Sequence, residues 1–218
     1  MIKKRGKKTR RELIDGNFKV TIFGSARIKK GDAIYKQIKI LAKMLGERNM
    51  DVITGGGPGL MKAASEGHRI GKKNKKAHTI GLAIRLWNEQ KTNKYVDIEK
   101  KFLRFSNRLD NFMLLSNAIV VAPGGVGTLL EFFYSWQLVQ TKQICNIPII
   151  LLGKQWKDLV KWLEKYPLKK RLLEEKDLKL LFLVNNCNEA IEIIDEAHES
   201  YKKGGENFCL NYEKYRLK

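Results

Sequence analysis

The chain has 218 residues, 43% of them apolar, which suits one α/β domain with a substantial core. Its 43 Lys and Arg residues against 23 Asp and Glu give a formal net charge of +20, which excludes an acidic solvating protein and raises the question of an anionic partner. No apolar run approaches the roughly 18 residues that span a bilayer, and three widely spaced cysteines indicate neither a disulfide framework nor a zinc site.

Short apolar runs alternate with helical patterns from residue 18 onward. The predicted strands are 18–23, 51–54, 79–84, 118–122, 147–152 and 180–184, and the predicted helices are 32–48, 60–70, 102–116, 128–140, 156–165 and 189–201. The polar stretch 86–97 is predicted to form a surface loop. Such alternation is typical of a parallel sheet with helices on both faces, so we expect a doubly wound α/β fold.

The two ends of the chain differ from its middle. Residues 1–16 form a basic arm, which we interpret as a solvated terminus because aromatic residues do not interleave with its charges; a nucleic-acid tail is the alternative. A single domain is predicted over residues 17–203, followed by a loosely held tail, 204–218. Scattered cysteines and a basic N-terminus without an apolar h-region predict a reducing, cytoplasmic setting and no membrane partner.

Three unusual loops follow predicted strands. They are Gly-Ser-Ala-Arg at 24–27, Gly-Gly-Gly-Pro-Gly at 55–59 and Pro-Gly-Gly-Val-Gly-Thr at 123–128. Because ligands of parallel sheets bind at the carboxyl ends of the strands, we expect these loops to lie together. A glycine-rich turn points backbone N–H groups at a ligand, and the helix after it adds its positive end. The loops therefore predict a site for a nucleotide or sugar phosphate.

Several better-known phosphate and catalytic motifs are absent. A dinucleotide-binding Gly-x-Gly-x-x-Gly fails because Leu60 or Lys62 stands where its third glycine belongs, depending on the starting glycine. No Gly-Lys-Ser/Thr of a Walker A loop and no Gly-x-Ser-x-Gly elbow occurs. The sequence therefore gives no support to NAD-dependent hydride transfer, a P-loop NTPase or an α/β-hydrolase.

Two charged features lie near the third loop. Thr128 and Glu131 have the spacing of a capping box, in which the Glu would serve only the helix; the alternative is a carboxylate that stabilises positive charge or holds a water. Spacing alone does not choose between them. Arg104 and Arg108 lie four residues apart on one face of a predicted helix, where solvent exposure is the default expectation in so basic a chain.

The glycine-rich stretches at 55–61 and 123–131 together resemble the LONELY GUY (LOG) family. The second stretch fits the family signature Pro-Gly-Gly-x-Gly-Thr-x-x-Glu at every fixed position, and residues 23–27 and 138–141 are similar to a bacterial subgroup. The resemblance covers about residues 18–195. It implies a Rossmann-like domain, a homodimer with sites near the dimer interface, and cleavage of the N-glycosidic bond of nucleoside 5′-monophosphates. The implied substrates are AMP and cytokinin riboside monophosphates, and the products are free base and ribose 5-phosphate.

The resemblance also assigns roles to single residues. It implies that Arg108, which precedes the signature proline by fifteen positions, and Glu131 form a catalytic pair acting on an oxocarbenium-like ribose. The implied substrate-binding residues are Ser25, Gly56, Gly57, Gly59, Gly124, Gly125, Val126, Gly127 and Thr128. It implies no metal, PLP or other cofactor, although members are often labelled lysine decarboxylases.

Two departures from the family pattern leave other functions open. Leu109 stands where the family usually has Lys, and Val126 where it often has an aromatic residue. If the missing Lys limits catalysis, Leu109→Lys would raise turnover. A non-catalytic nucleotide binder or carrier on the same scaffold is one alternative. A nucleic-acid-binding protein, favoured by the net charge and the arm but not by aromatic stacking positions, is the weaker alternative.

Overall fold

Seven parallel strands form one sheet in the computed structural model, which describes residues 16–72, 76–85 and 91–203. The strands are β1 (Lys19–Phe23), β2 (Asp51–Thr54), β3 (Thr79–Ile84), β4 (Ile98–Phe102), β5 (Ala118–Val121), β6 (Ile149–Leu152) and β7 (Leu181–Val184). Their order across the sheet is β4-β3-β2-β1-β5-β6-β7, and every neighbouring pair is parallel. Strands β1, β2, β5 and β6 are buried along their whole length, as expected of central strands covered on both faces.

Helices cover both faces of this sheet. They are α1 (Ala33–Glu47), α2 (Leu60–Gly71), α3 (Phe105–Leu115), α4 (Val126–Gln140), α5 (Lys154–Leu163), α6 (Glu175–Leu178) and α7 (Cys187–Lys202), and a π-helical turn, Glu164–Leu168, continues α5. Side chains of α1, α2 and α7 form one buried cluster with one face of the sheet, and those of α3, α4 and α5 form a second cluster on the other. The predicted α/β class, a Rossmann-like doubly wound parallel sheet, is confirmed.

The sheet contains one strand that the sequence did not predict. β4 alternates between exposed and more buried residues and carries Glu99, Lys100 and Lys101, so it lacks the apolar run used to recognise the central strands. Among the described strands it pairs with β3 alone, at the edge of the sheet, and this is why polar side chains are tolerated there. The predicted helix 102–116 consequently begins later, at Phe105.

Some predictions fall outside the described residues. Residues 1–15 of the basic arm, residues 86–90 of the predicted surface loop and the tail 204–218 are not described, so the domain boundaries stay predictions. Within the described ranges, no helix is both long and apolar enough to cross a membrane.

The strand order reverses between β1 and β5. Phe23 at the end of β1 pairs in register with Val121 at the end of β5, while the chain continues from these two strands toward opposite edges of the sheet. The loops that follow β1 and β5 therefore diverge and leave a crevice at their carboxyl ends. Open α/β sheets bind ligands at such a switch point, and this is where the candidate site lies.

Candidate active site

A cavity of about 520 Å³ opens at this crevice. It is lined by Gly24, Ser25, Ala26, Arg27, Met61, Ile84, Phe105, Arg108, Gly125, Val126, Gly127, Thr128 and Glu131. The loop after β1, the start of α2, the end of β3, helix α3 and the first turns of α4 all contribute to the wall. The fold thus brings the first and third unusual loops together with both residues of the implied catalytic pair.

Arg108 is buried in the wall of the cavity. Its Nε donates to the carbonyl of Leu82 at 2.7 Å, and its guanidinium lies over the ring of Phe112, 5.1 Å from the centroid. Nη2 forms an ion pair with Oε1 of Glu131 at 3.2 Å, and the Arg108 side chain is only 11% exposed. The default expectation of a solvent-exposed arginine is therefore wrong, because packing of α3 on the sheet turns this side chain inward.

Glu131 faces Arg108 from helix α4, with 12% of its side chain exposed. Burial raises the pKa of Glu131 and the nearby guanidinium of Arg108 lowers it, for a net rise to about 7. Burial also lowers the pKa of Arg108, while Glu131 raises it. The site therefore holds a carboxyl group that changes its charge near neutral pH, beside a fixed cation.

The capping-box interpretation of Glu131 is wrong. Helix α4 begins at Val126, two residues earlier than predicted, with Gly125 as its N-cap in an extended conformation. Glu131 consequently lies in the second turn, beyond the reach of the helix terminus, and Thr128 occupies the third helical position rather than the cap. The glycines at 125 and 127 concealed this early start, since glycine has low helix propensity.

The N-terminus of α4 opens toward the cavity. The N–H groups of the first turn, at Val126, Gly127 and Thr128, have no acceptor within the helix, and none of the described side chains caps it. Val126 is 84% exposed, and a Cβ atom at Gly125 or Gly127 would meet nothing within 4 Å. This end of the helix therefore presents free donors and a positive dipole to a ligand.

Gly124 lies behind this wall and supports it. A Cβ atom at Gly124 would lie 2.1 Å from Oγ1 of Thr128, so only glycine leaves room for that threonine. The N–H of Gly124 donates to Oε1 of Gln155 at 3.2 Å. Gly124 therefore stabilises the loop and does not contact the ligand site. The backbone N–H groups that face the cavity belong to Gly125 and the residues after it.

The second glycine loop contributes indirectly. Gly56, Gly57 and Gly59 are not among the residues that line the cavity: the carbonyls of Gly56 and Gly57 accept from Nδ2 of Asn93, both at 3.0 Å. A Cβ atom on Gly59, whose φ is +63°, would lie 2.3 Å from the carbonyl oxygen of Ser25. This loop therefore packs closely on the backbone of the first loop. Ser25 itself lines the cavity, and its Oγ accepts from the N–H of Arg27 at 3.1 Å.

Six lining residues had no role in the sequence interpretation as site residues. Gly24, Ala26 and Arg27 belong to the recognised first loop, and Arg27 adds a cation to the cavity. Met61, Ile84 and Phe105 add apolar surface. The three residues of the first loop gave a signal in the sequence, because their loop follows a predicted strand. Leu109, in contrast, is 6% exposed and is not a lining residue. Among the described residues, no three His, Cys, Asp or Glu side chains cluster as a metal site would require.

The family comparison agrees with this geometry. A model described as "Possible lysine decarboxylase", which represents the LOG family, matches residues 61–194. The chain belongs to this family. The matched segment contains Arg108, the third loop and Glu131, so the resemblance seen in the motifs is confirmed.

Individual relatives of this LOG-family chain are distant. It is 27% identical over 161 residues to a pyrimidine/purine nucleotide 5′-monophosphate nucleosidase of Escherichia coli K12. The match covers 67% of this chain but 34% of the relative, so the chain spans about a third of the length of the curated relatives it matches.

Solved structures show the same fold. A molybdenum cofactor binding protein from Rippkaea orientalis is 19% identical with a TM-score of 0.61, over 83% of this chain and 96% of that one. The molybdenum cofactor carrier protein of Chlamydomonas reinhardtii is 19% identical with a TM-score of 0.59, over 83% and 98%. At this level of identity the likeness concerns the fold alone.

Proposed function

We propose that the chain hydrolyses the N-glycosidic bond of nucleoside 5′-monophosphates to free base and ribose 5-phosphate. The observation that carries the proposal is the buried Arg108–Glu131 ion pair in the wall of the cavity onto which the N-terminus of α4 opens. The name of the Escherichia coli relative, a nucleotide 5′-monophosphate nucleosidase, supports the same reaction class.

The 5′-phosphate is assigned to the start of α4. Free N–H groups at Val126, Gly127 and Thr128 and the positive end of a 15-residue helix favour an anion there. Arg27 adds a positive charge at the same cavity, and it is exposed. A volume of about 520 Å³ is within the range of cavities that hold small organic ligands.

The ribose then lies beside Glu131. As the C1′–N bond breaks, its electron pair moves to the base and positive charge develops on the ribose. The ionised carboxylate of Glu131 stabilises that charge and orients a water, whose hydroxyl adds to C1′ while its other proton goes to the base. Arg108 holds the carboxylate in place through its fixed planar guanidinium.

A panel of nucleoside monophosphates tests the proposal. Purified chain is incubated with AMP, GMP, IMP, CMP and UMP and with the matching nucleosides, and free base and ribose 5-phosphate are measured by chromatography. We expect free base from at least one monophosphate and much less from its nucleoside. If none of the five monophosphates releases free base, the proposal is contradicted.

Two further measurements distinguish the alternative functions. Thermal stabilisation by a monophosphate without any product would support the carrier function. Retention on DNA or RNA with a steep salt dependence would support the nucleic-acid function.

The proposal includes a homodimer in the cytoplasm. Val126, Leu130 and Phe133 form an exposed apolar stripe along α4, and it begins at the rim of the cavity. Together with the family resemblance, this stripe supports an interface near the site. Cys187 is a buried thiol whose Sγ donates to the carbonyl of Gln37, which suits a reducing compartment. Sedimentation of the wild type and of Leu130→Glu tests the dimer; a monomeric wild type at micromolar concentration would contradict it.

A further inference from the structure

Gln155 holds the backbone of the third loop from the neighbouring strand end. Its Nε2 donates to the carbonyl of Gly124 at 2.9 Å, and its Oε1 accepts from the N–H of Gly124 at 3.2 Å. One amide side chain thus pairs with both polar groups of one residue, as an adjacent strand would. Gln155 is the second residue of α5, which follows β6, and β6 is the direct neighbour of β5 in the sheet.

The fold brings Gln155 to this position through a tight turn. Gly153 precedes α5 with a φ of +116°, which residues with a side chain rarely adopt. A Cβ atom there would also lie 3.0 Å from Cγ of Pro123. The turn therefore presses the start of α5 against the third loop and leaves the Gln155 side chain beside Gly124.

The loop is held on its other side by the loop that follows β1. The N–H of Ser25 donates to the carbonyl of Pro123 at 3.1 Å. With Gly124 bound by Gln155, two consecutive residues of the loop have fixed backbone orientations. The next residue, Gly125, caps α4, so these bonds decide where the N–H groups of its first turn point.

We propose that Gln155 is a positioning residue that aims the N–H groups at the start of α4 toward the 5′-phosphate. The inference rests on the proposed function of this loop. Gln155 does not line the cavity, so it acts through Gly124 and not by contact with the ligand. Without its two hydrogen bonds, Gly124 and Gly125 can rotate and the donors lose their common direction. The nucleoside portion of the ligand is unaffected.

Two variants of Gln155 test this role with AMP and adenosine. Gln155→Ala removes both hydrogen bonds, and Gln155→Met removes them while keeping the length of the side chain. KM is measured for each compound, with Kd from calorimetry if turnover is slow. Both variants should raise the KM or Kd of AMP about tenfold, the effect of one misdirected hydrogen bond to a charged group. The KM or Kd of adenosine should stay within about twofold of the wild-type value, because adenosine has no phosphate. The kcat for AMP should also stay within about twofold, because the phosphate is bound equally well in the ground state and in the transition state.

Gln37→Ala is the matched control. Gln37 is on α1, and its Nε2 donates to the carbonyl of Asn185, another exposed bond to a loop. This variant should leave the AMP-to-adenosine ratio of the wild type unchanged. Thermal unfolding of every variant shows whether a change in affinity accompanies a loss of folded protein.

The outcomes separate this inference from the function it rests on. A wild type that binds AMP no better than adenosine overturns both the assignment of the phosphate to α4 and the role of Gln155. If the wild type prefers AMP to adenosine and both Gln155→Ala and Gln155→Met keep the same preference, only the role of Gln155 is overturned. Loss in the alanine variant but not in the methionine variant would mean that the side chain merely packs, which also overturns it.

Discussion

Gly55 leaves open the space that the guanidinium of Arg108 occupies. A Cβ atom at this position would lie 2.5 Å from Nη2 of Arg108 and 2.8 Å from Sδ of Met61. The guanidinium cannot move aside freely, because the Leu82 carbonyl and the Glu131 carboxylate hold it. The first glycine of the second loop therefore shapes the proposed catalytic pair, whereas the loop was predicted to line the nucleotide.

Gly55→Ala should impair catalysis more than folding. The added methyl group must displace Arg108 or Met61, which disturbs the contact between Arg108 and Glu131. We expect base release to fall at least about tenfold, since a misplacement near 1 Å can cost 10²-fold. Gly31→Ala is the control, because a Cβ atom there meets nothing within 4 Å. Equal activity in the two variants would show that the space beside Gly55 is unimportant.

Glu131→Gln should remove activity while leaving the fold nearly intact. Glutamine keeps an oxygen acceptor for Arg108 but loses the negative charge that stabilises the developing cation. The rate of base release at saturating AMP should fall about 10²–10³-fold. At about pH 5, where Glu131 is still protonated in the folded protein, the free energy of unfolding should change by only about 1 kcal/mol, the size of one altered hydrogen bond. A variant that releases base at close to the wild-type rate would refute the assignment of Glu131.

The activity should rise with pH because Glu131 must be ionised. Burial places the pKa of Glu131 at about 7, so kcat should increase through neutral pH and level off about one unit above it. Glu131→Gln should lose this rise. The phosphate of free AMP also titrates, near pH 6, and this titration affects kcat/KM. The comparison therefore uses kcat, which reports the groups that titrate in the enzyme–substrate complex. A wild-type kcat that is constant between pH 6 and pH 8, a range chosen to bracket this pKa, would contradict the prediction.

Glu131 should also leave a signature in the pH dependence of stability. Its pKa is raised from 4.5 in the unfolded chain to about 7 in the folded protein, so the folded state binds the proton more tightly. The stability that Glu131 contributes is fully present below pH 4.5 and is lost as the pH rises through 7. The free energy of unfolding of the wild type, relative to Glu131→Gln, should therefore decrease between about pH 5 and pH 8. Urea titrations of both proteins at several pH values measure it.

Gly127→Val should separate phosphate recognition from nucleoside recognition. A Cβ atom at Gly127 meets no protein atom within 4 Å, so the fold accepts a side chain there. The isopropyl group instead occupies the approach to the start of α4. Affinity for AMP should fall far more than affinity for adenosine, as calorimetry with both compounds will show. If both affinities fall equally, the loop does not recognise phosphate.

Leu109→Lys should destabilise the protein without increasing turnover. The sequence suggested that a lysine here would assist catalysis, but Leu109 is buried and lies outside the cavity. Burying an ammonium group without a partner should cost roughly 2 kcal/mol or more. Leu109→Met, which conserves volume, should cost less than about 1.5 kcal/mol. Faster base release by Leu109→Lys, with unchanged stability in urea, would instead show that the missing lysine limits catalysis.

The sequence located the central strands well because they carry a simple physical signal. β1, β2 and β5 are buried on both faces, so their apolar runs end within one residue of the predicted bounds. β4 was not predicted because it is an edge strand, which is less buried than a central strand and therefore needs fewer apolar side chains. The short helix α6 was also not predicted, since four residues are too few to show a helical period.

The motifs alone determined the family, and they predicted the kind of ligand and the two residues of the proposed catalytic pair. Which glycines face the ligand, and which support the loops, was decided by tertiary structure. Arg108 and Glu131 meet because α3 and α4 pack on the same face of the sheet, and Gln155 reaches Gly124 because β6 pairs with β5. These contacts join residues far apart in the chain, and sequence spacing carries no information about distances that strand order and helix packing set.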